Sequence, residues 1–523
     1  MDRGELIALF LKHRFNVTGE VLDYLRNSSL SKSQIKTLVS QLPQEIPVVT
    51  VPVIQEVLAT TKHNSEISKD REIASTEQVL STTNSGQIST TQTPQLSAPK
   101  KPPSLPEIVI DLDIPTSLSD PVDVDTFRNL FLDRFQRLSR IIRDQLTDQG
   151  RILGRNLTIQ EVPLDKSGIL IGMVQDTGVL HTGKFVIQLE DPTDEILTRC
   201  VMVQESTSFP EYHEILRDTV IGVAGDLPKK YEEGAITAFW GKDVIRPGLT
   251  PIRFQQNPRS GKILFLADIH YGAKSFATRA FANLVKLVQL DDLPPDLVAI
   301  AQDIKVVIVA GDLCDGVGQF PDQQANLSVS SLQAQYDGLS ALFSKIPSYI
   351  QIIVIPGEHD ATQMALPQPA IDREVGNSIF SLPNVLTHGN PLRVIIDGLN
   401  LLVYHGQGLE QLDPINPISS IQQLLEYRHL APEYGVTIPL VPAKRDYLVI
   451  DRVPEILVVG HSHQASMAEY KGVKIIACGT FQGKGPDHLK TPQKTSVGVV
   501  HILDTQTGQI TMIDLRKMRI IPS

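Results

Sequence analysis

The sequence predicts a multidomain protein: a small helical N-terminal module, a disordered linker, a small β-barrel and a large α/β domain. Three observations carry that prediction. In the second half of the chain, five short segments rich in Asp and His each follow an apolar run of Ile, Val and Leu. Ahead of them lie about five short strand-like stretches broken by Gly, Pro and Asp turns. Further back, Thr60 to Ser104 is rich in Ser, Thr and Gln and has no aromatic residue.

Residues 1–46 read as the helical module. Leu6, Leu9 and Phe10 recur at helical spacing, as do Val21, Leu22 and Leu25. Ser31 with Gln34 makes a capping box for a helix carrying Ile35, Leu38 and Val39, and Leu42-Pro43 ends it. The module is either a docking piece for a partner or a plain helical domain. Residues 47–105 form the linker, whose composition buries too little apolar surface to offset chain entropy. Its end, Pro99-Lys100-Lys101-Pro102-Pro103, is a semi-rigid spacer or a peptide motif.

Residues 106–156 connect linker to barrel. Phe127, Leu130, Phe131, Phe135, Leu138, Ile141 and Ile142 predict an amphipathic helix over Asp125 to Gln145, with Arg134, Arg137, Arg140 and Arg143 among them. That helix either touches nucleic acid or packs with a solvated basic face. Residues 157–250 contain the strand-like stretches Ile169 to Val174, Lys184 to Leu189, Cys200 to Gln204, Thr219 to Ala224 and Ala235 to Phe239. Five such strands suggest a Greek-key barrel of the oligonucleotide/oligosaccharide-binding (OB) type, with Phe185, Phe239 and Trp240 as stacking candidates. Residues 261–514 are the α/β domain.

The totals constrain function. A chain of 523 residues has room for several domains and a large core. Its formal charge of -11 gives no general attraction for nucleic acid, so any such contact needs local basic groups or a partner. Cys200, Cys314 and Cys478 form no CxxC pair, which points to a reducing, cytoplasmic setting without a disulfide framework or thiolate zinc site. No apolar run approaches a membrane span, and the start, Met1-Asp2-Arg3-Gly4-Glu5, does not read as a signal peptide.

The chemistry lies in the five segments: Asp268-Ile269-His270, Gly311-Asp312-Leu313-Cys314-Asp315, Gly357-Glu358-His359-Asp360, His405-Gly406 and Gly460-His461-Ser462-His463. Each sits just past the carboxyl end of an expected strand, where α/β sheets place ligands. Carboxylate and imidazole suit hard or borderline divalent ions. Asp268 and His270 can face one ion, completed by His463, while Glu358, His405 and His461 can hold a second. Asp312, with two oxygens, can bridge them. Two ions about 4 Å apart can clamp a phosphate and activate water. His359 is placed as a general acid or transition-state donor. Asp315 and Asp360 are expected to fix loops or orient imidazoles. His388 is expected in a turn with Gly389, His429 carries a weaker signal, and Cys314 is expected to be packing.

Taken together, Phe265-Leu266-Ala267-Asp268-Ile269-His270 through Gly460-His461-Ser462-His463 resemble the calcineurin-like metallophosphoesterase superfamily. With the barrel, Arg128 to Arg143, Arg428-His429-Leu430-Ala431-Pro432, Tyr434-Gly435 and Gly479-Thr480-Phe481-Gln482, residues 120–515 resemble the small subunits of archaeal family D DNA polymerases. The resemblance implies an α/β metallophosphoesterase domain, a β-sandwich flanked by helices. It implies a proofreading 3′–5′ exonuclease with manganese or magnesium, acting on a single-stranded primer 3′ end alongside a large catalytic subunit. By that likeness Asp268, His270, Asp312 and His463 hold one ion, Asp312, Glu358, His405 and His461 the other, and His359 is catalytic. The superfamily usually has Asn where this chain has Glu358. Two other readings compete: a structural scaffold subunit, against which the full Asp and His set argues, and a stand-alone phosphoesterase for small substrates, against which the module, linker and barrel argue.

Overall fold

The computed structural model describes residues 105–116, 118, 123–150, 167–179, 181, 183–191, 198–204, 215–226, 237–255, 261–435, 438–483 and 495–522, together with Asn16, Val17, Val21, Leu25, Ser31, Lys32, Ile35, Leu38, Val39, Val48, Val49 and Ile54. The chain divides into two units, Met1–Leu96 and Ser97–Ser523. In the first, Val21, Leu25, Ile35, Leu38, Val39 and Ile54 are helical and buried, and Asn16–Val17 pairs in parallel with Val48–Val49. Val48, Val49 and Ile54 fall within the stretch read as linker. The rest of that stretch to Ser104 lies outside the described residues, as do Leu6, Leu9, Phe10 and Leu22.

The second unit opens with strand β1 (Ile108–Leu112) and helix α1 (Val124–Asp148). Asp123 caps α1 by accepting from the Thr126 amide at 2.8 Å, satisfying one of the donors a helix start leaves open. Strands β2 (Ser167–Val179), β3 (Phe185–Asp191), β4 (Thr198–Gln204), β5 (Val220–Asp226) and β6 (Thr237–Ile245) close into a barrel in the order β2-β3-β4-β6-β5. Neighbours are antiparallel except β4 and β6, which run parallel. Strict alternation along β3 turns Phe185, Ile187 and Leu189 into the barrel core. Phe185 is therefore not a surface for stacking bases. Trp240 is half-buried with the Lys184 ammonium 5.0 Å from its ring centre, and the Phe239 side chain lies outside the described residues.

The remaining chain builds two facing sheets. The seven-stranded sheet contains β7 (Lys262–Leu266), β8 (Ile304–Ala310), β9 (Gln351–Ile355) and β10 (Val385–Thr387), all parallel. The six-stranded sheet takes β1 at its edge, then β11 (Leu392–Ile396), β12 (Leu399–Tyr404) and β13 (Ile456–Val459), and ends with β14 (Ser466–Tyr470) and β15 (Val473–Ala477). Strands β16 (Val499–Asp504), β17 (Ile510–Asp514) and β18 (Arg519–Ile521) complete the first sheet beyond β7. The apolar runs of the five motif segments all form strands, but they divide between the sheets, three in one and two in the other.

That division follows from side-chain alternation in strands apolar on both faces. Ile263 and Phe265 enter the core between the sheets with Val394, Val403 and Val458. Leu264 and Leu266 face outward against Phe281, Leu284, Leu339 and Phe343 of α2 (Thr278–Gln289) and α3 (Leu332–Phe343). The outer face of the second sheet, with Leu402, Leu457 and Ile475, is covered by Ile421, Leu424 and Leu425 of α4 (Pro417–Tyr427).

Helix α1 joins barrel and sandwich. Its apolar face, Phe135, Leu138, Ile142 and Leu146, packs on Ile171, Met173 and Val220 of the barrel and on Val449. Arg134 is fully buried there. Its Nε donates to Asp446 Oδ2 at 2.7 Å, and Nη1 donates to the carbonyls of Asp218 and Pro432 at 3.0 and 2.6 Å. Arg137 pairs with Asp133 and Asp451. Two of the helix's five arginines, Arg134 and Arg137, are thus spent on packing, while Arg140 stays 82% exposed.

Removing one partner of a buried, hydrogen-bonded ion pair costs about 3–5 kcal/mol. Arg134→Ala is expected to lower unfolding stability by that order, with Arg140→Ala within about 0.5 kcal/mol of the parent; urea denaturation of both variants checks this. A second expectation concerns acid. Burial holds His429 and His501 down to about 4, with the Arg134 charge adding to the effect on His429. The Ala431 amide also donates to His429 Nδ1 at 3.1 Å, which requires a neutral ring. An unfolded His titrates near 6.5. The stability these two rings contribute is full above about pH 6.5 and is lost as pH drops toward 4, because the unfolded chain binds the extra protons. Urea midpoints measured across that range should fall steadily; a flat profile would contradict the buried neutral rings.

Candidate metal centre

Because β7, β8 and β9 run parallel, as do β12 and β13, the loops at their carboxyl ends gather along one edge of the sandwich. Asp268 and His270 follow β7, Asp312 follows β8, and Glu358 and His359 follow β9. His405 follows β12, and His461 and His463 follow β13. The backbone turns abruptly here. Asp268, His270, Asp312, His461 and His463 have φ of 52°, 47°, 51°, 63° and 57°. That left-handed region costs a non-glycine residue about 1–3 kcal/mol and persists only when surrounding structure enforces it.

The enforcement is visible. Asp360 accepts from the amides of Leu313, Cys314 and Gly357 at 3.1, 3.2 and 2.9 Å and from Tyr336 Oη at 3.0 Å, which clamps the loop after β8 to the loop after β9. The Phe481 amide and Thr480 Oγ1 both donate to the Asp268 carbonyl, at 2.8 and 2.9 Å. The His405 amide donates to Asn390 Oδ1 at 3.0 Å. At Gly357 there is no room for a side chain: a methyl group would overlap the Asp312 carboxylate and His405 Nε2.

All eight side chains singled out in the sequence converge. Asp312 is central: its Oδ2 lies 3.6 Å from His270 Nε2, 3.5 Å from His405 Nε2 and 3.9 Å from His359 Nε2. On one side, His270 and His463 face each other through Nε2 atoms 3.1 Å apart, and Asp268 Oδ1 lies 3.5 Å from His463 Nε2. On the other, Glu358 Oε2 lies 2.7 Å from His405 Nε2, and Oε1 lies 2.7 Å from His461 Nδ1. Overlapping trios of these residues bring their donor atoms within 4.8 Å of one another.

Two features test whether this set suits a divalent cation. Glu358 Oε2 and His405 Nε2 are buried and close, yet neither has a hydrogen-bond partner, so their lone pairs are left to another acceptor of electrons. The imidazole tautomers are also fixed from outside. His405 Nδ1–H donates to the Ala310 carbonyl at 2.8 Å, which leaves Nε2 unprotonated on the neutral ring and turned to the centre. The donor set fits.

Charge follows the geometry. Burial disfavours charged imidazole, but the hydrogen bond to Asp315 and the charges of Asp312, Asp268 and Asp315 outweigh it and hold His270 up to about 9. Burial likewise opposes charge on His405 and His461, where Asp312 and Glu358 respectively lead in raising them well above the ordinary range. Burial would raise Glu358, and His461 and His405 bring it well below its ordinary value. His463 goes the other way, lowered chiefly by burial.

The model of the DNA polymerase alpha/epsilon B-subunit family matches residues 263–468, a span that includes all eight converging side chains. The DNA polymerase II small subunit of Methanothermobacter thermautotrophicus is 35% identical over 322 residues, covering 60% of this chain and 65% of that protein. That of Methanocaldococcus jannaschii is 31% identical, covering 72% and 63%. That of Archaeoglobus fulgidus is 32% identical over 374 residues, covering 69% of this chain and 71% of the relative. The chain belongs to the family of archaeal DNA polymerase II small subunits. It spans slightly less than two thirds of the length of the first two of these relatives.

Around the centre of this family member stand residues of unequal visibility in the sequence. Asp315 does meet an imidazole: its Oδ1 lies 3.2 Å from His270 Nδ1, and it is held by Gln323 and Gln482. Asp360 is the loop clamp. His388 is bound to Asp113 at 2.6 Å, and His429 to Asp446 at 2.9 Å, both outside the centre. Cys314 is buried, and burial pushes its thiol well up, so it packs as a neutral group. Glu410 was not anticipated: its Oε2 lies 3.1 Å from His461 Nε2. The only signal was an acid five positions after His405 in the same loop.

A cation needs a lone pair from each of His270, His405 and His461, and the carboxylates around them raise all three above the ordinary imidazole range. Cation uptake is therefore expected to release protons, and affinity to rise from pH 7 toward 9. Calorimetric titration with MnCl2 in buffers of different ionisation heat measures this directly. Identical heats in all buffers would show that the rings are already neutral.

Proposed function

We propose that this chain is a metal-dependent 3′–5′ DNA exonuclease that proofreads as the small subunit of a heteromeric replicative polymerase. The observation supporting it most is the convergence of Asp268, His270, Asp312, Glu358, His405, His461 and His463 from five loops onto one buried carboxylate, Asp312. Two divalent cations, manganese or magnesium, would be held by Asp268, His270, Asp312 and His463 on one side and by Asp312, Glu358, His405 and His461 on the other. When bound, such ions supply Lewis acidity to a phosphodiester and lower the pKa of water.

The chain's own groups do the rest. His359 Nδ1–H donates to the Asp315 carbonyl at 2.7 Å, which fixes the ring and turns Nε2 toward Asp312. As imidazolium, its Nε2–H is the proton donor to a departing 3′-oxygen or to a phosphate oxygen. The five-stranded barrel, with its single parallel pair, is read as OB type. The partners are a large catalytic subunit and the single-stranded 3′ end of a primer. Since the chain carries -11, attraction for DNA rests on local groups such as Lys444 and Arg445 and on the large subunit. Lys484, a third such group in the sequence, lies outside the described residues.

One observation favours a second reading, a scaffold subunit. Glu358 pairs with both His405 and His461, so charge on that side is balanced by the protein itself. The deciding assay uses a 3′-labelled mismatched primer with Mn2+ or Mg2+, with and without chelator and large subunit. Chelator-sensitive release of the 3′ nucleotide is expected. Asp312→Asn should abolish it together with cation loading, whereas His359→Ala should keep the cations and lose about 10²–10⁴-fold in rate. A preparation that loads no cation and releases no nucleotide leaves the scaffold reading standing.

A further inference from the structure

The loop after β12 carries an acid that no part of the proposed chemistry uses. Glu410 is the second residue of the single helical turn Leu409–Leu412, and its Oε2 lies 3.1 Å from His461 Nε2. On the opposite edge of the same ring, Nδ1 lies 2.7 Å from Glu358 Oε1. His461 therefore stands between two carboxylates, one inside the centre and one outside it. From this we infer that Glu410 is a positioning residue: it accepts from Nε2–H of His461, holds that proton on Nε2, and so makes Nδ1 the nitrogen presented to a cation beside Glu358.

The surroundings hold Glu410 for that role. Gly406 and Gly408 take left-handed φ of 111° and 92°, which turn the chain back over His461. A side chain at Gly408 would run into Ile438. Tyr404 Oη donates to the Gln407 carbonyl at 2.6 Å and Ser420 Oγ to the Leu409 carbonyl at 2.8 Å, pinning the loop on both sides of the turn. Glu410 is itself 46% exposed, so water can still reach it and its loss should not empty a core. The pattern parallels the rest of the centre. His405 is oriented by the Ala310 carbonyl and His359 by the Asp315 carbonyl. His461 is oriented by a carboxylate instead, which adds charge as well as direction. An imidazole whose outer N–H meets a carboxylate is the more basic ligand, and removing such a partner typically costs about 10–100-fold in metal affinity.

The inference rests on the two-cation reading of the centre, and its test reads cation loading rather than nuclease rate. Parent, Glu410→Ala and Glu410→Gln full-length chains are titrated with MnCl2, following bound ions by electron paramagnetic resonance and calorimetry. The parent should load two ions. Glu410→Ala should weaken one of the two steps by about 10–100-fold and leave the other unchanged, with the metal-free melting temperature unaltered. Glu410→Gln, whose carbonyl can still accept from Nε2–H, should recover part of the loss. Nitrogen-15 imidazole spectra of the Mg2+-loaded chains should show His461 as the Nε2–H tautomer in the parent and a mixture in Glu410→Ala. Parent-like loading by Glu410→Ala, or equal weakening of both steps, overturns the inference. A parent that loads two ions but cleaves no primer overturns the exonuclease reading alone.

Discussion

The carboxylate of Asp360 is the constraint on which the centre depends. It gathers three amides and a tyrosine hydroxyl from β8's loop, β9's loop and α3. With it in place, Asp312 and Glu358, borne on different loops, hold fixed separations from the same His405. Burial and the nearby Asp312 push Asp360 up to about 6, opposed by the amides it serves. A group that spends so many hydrogen bonds on backbone is doing so to define positions, and the positions it defines are those of the side chains around Asp312.

Much of this was legible in the sequence. A segment such as Val306 to Ala310 is uninterruptedly apolar because both its faces are covered, so the polar residues that follow it stand out. That holds for all five segments and is why Asp268 through His463 could be singled out from the chain alone. The split of the strands between two sheets was not legible from the runs, since an apolar strand looks the same in either sheet. Nor was β1, Ile108-Val109-Ile110-Asp111-Leu112, whose partner Leu392–Ile396 is far away along the chain. Arg134 could not be told from Arg137, Arg140 and Arg143, because four arginines at helical spacing give no clue to which one is swallowed by a neighbour. Glu410 was hidden for a similar reason: a glutamate in a loop is ordinarily solvated, and its meeting with His461 depends on how two glycines bend the chain.

Barrel and sandwich are joined by contacts that do not tolerate play. Arg134 reaches the barrel through the Asp218 carbonyl and the sandwich through Asp446 and Pro432, all from one guanidinium. Asp133 accepts from the Asp446 amide at 2.9 Å, and Arg137 donates to the Asp446 carbonyl at 2.7 Å, so three polar positions of α1 converge on one residue. The apolar face of the same helix seals the barrel. A polar knot under an apolar seal resists sliding as well as separation, since any shift leaves a buried charge without its partner.

The left-handed backbone at Asp268, His270, Asp312, His461 and His463 sets folding and chemistry against each other at five positions. Glycine would occupy the same conformations at lower cost. A descendant released from the need for these side chains would relieve that backbone cost by exchanging them, yet each exchange would also strip a partner from a buried neighbour: Asp268 accepts the His461 amide and Asp312 the His359 amide. Strained backbone and interlocked side chains therefore hold each other in place, so such a centre is kept or lost as a unit rather than residue by residue.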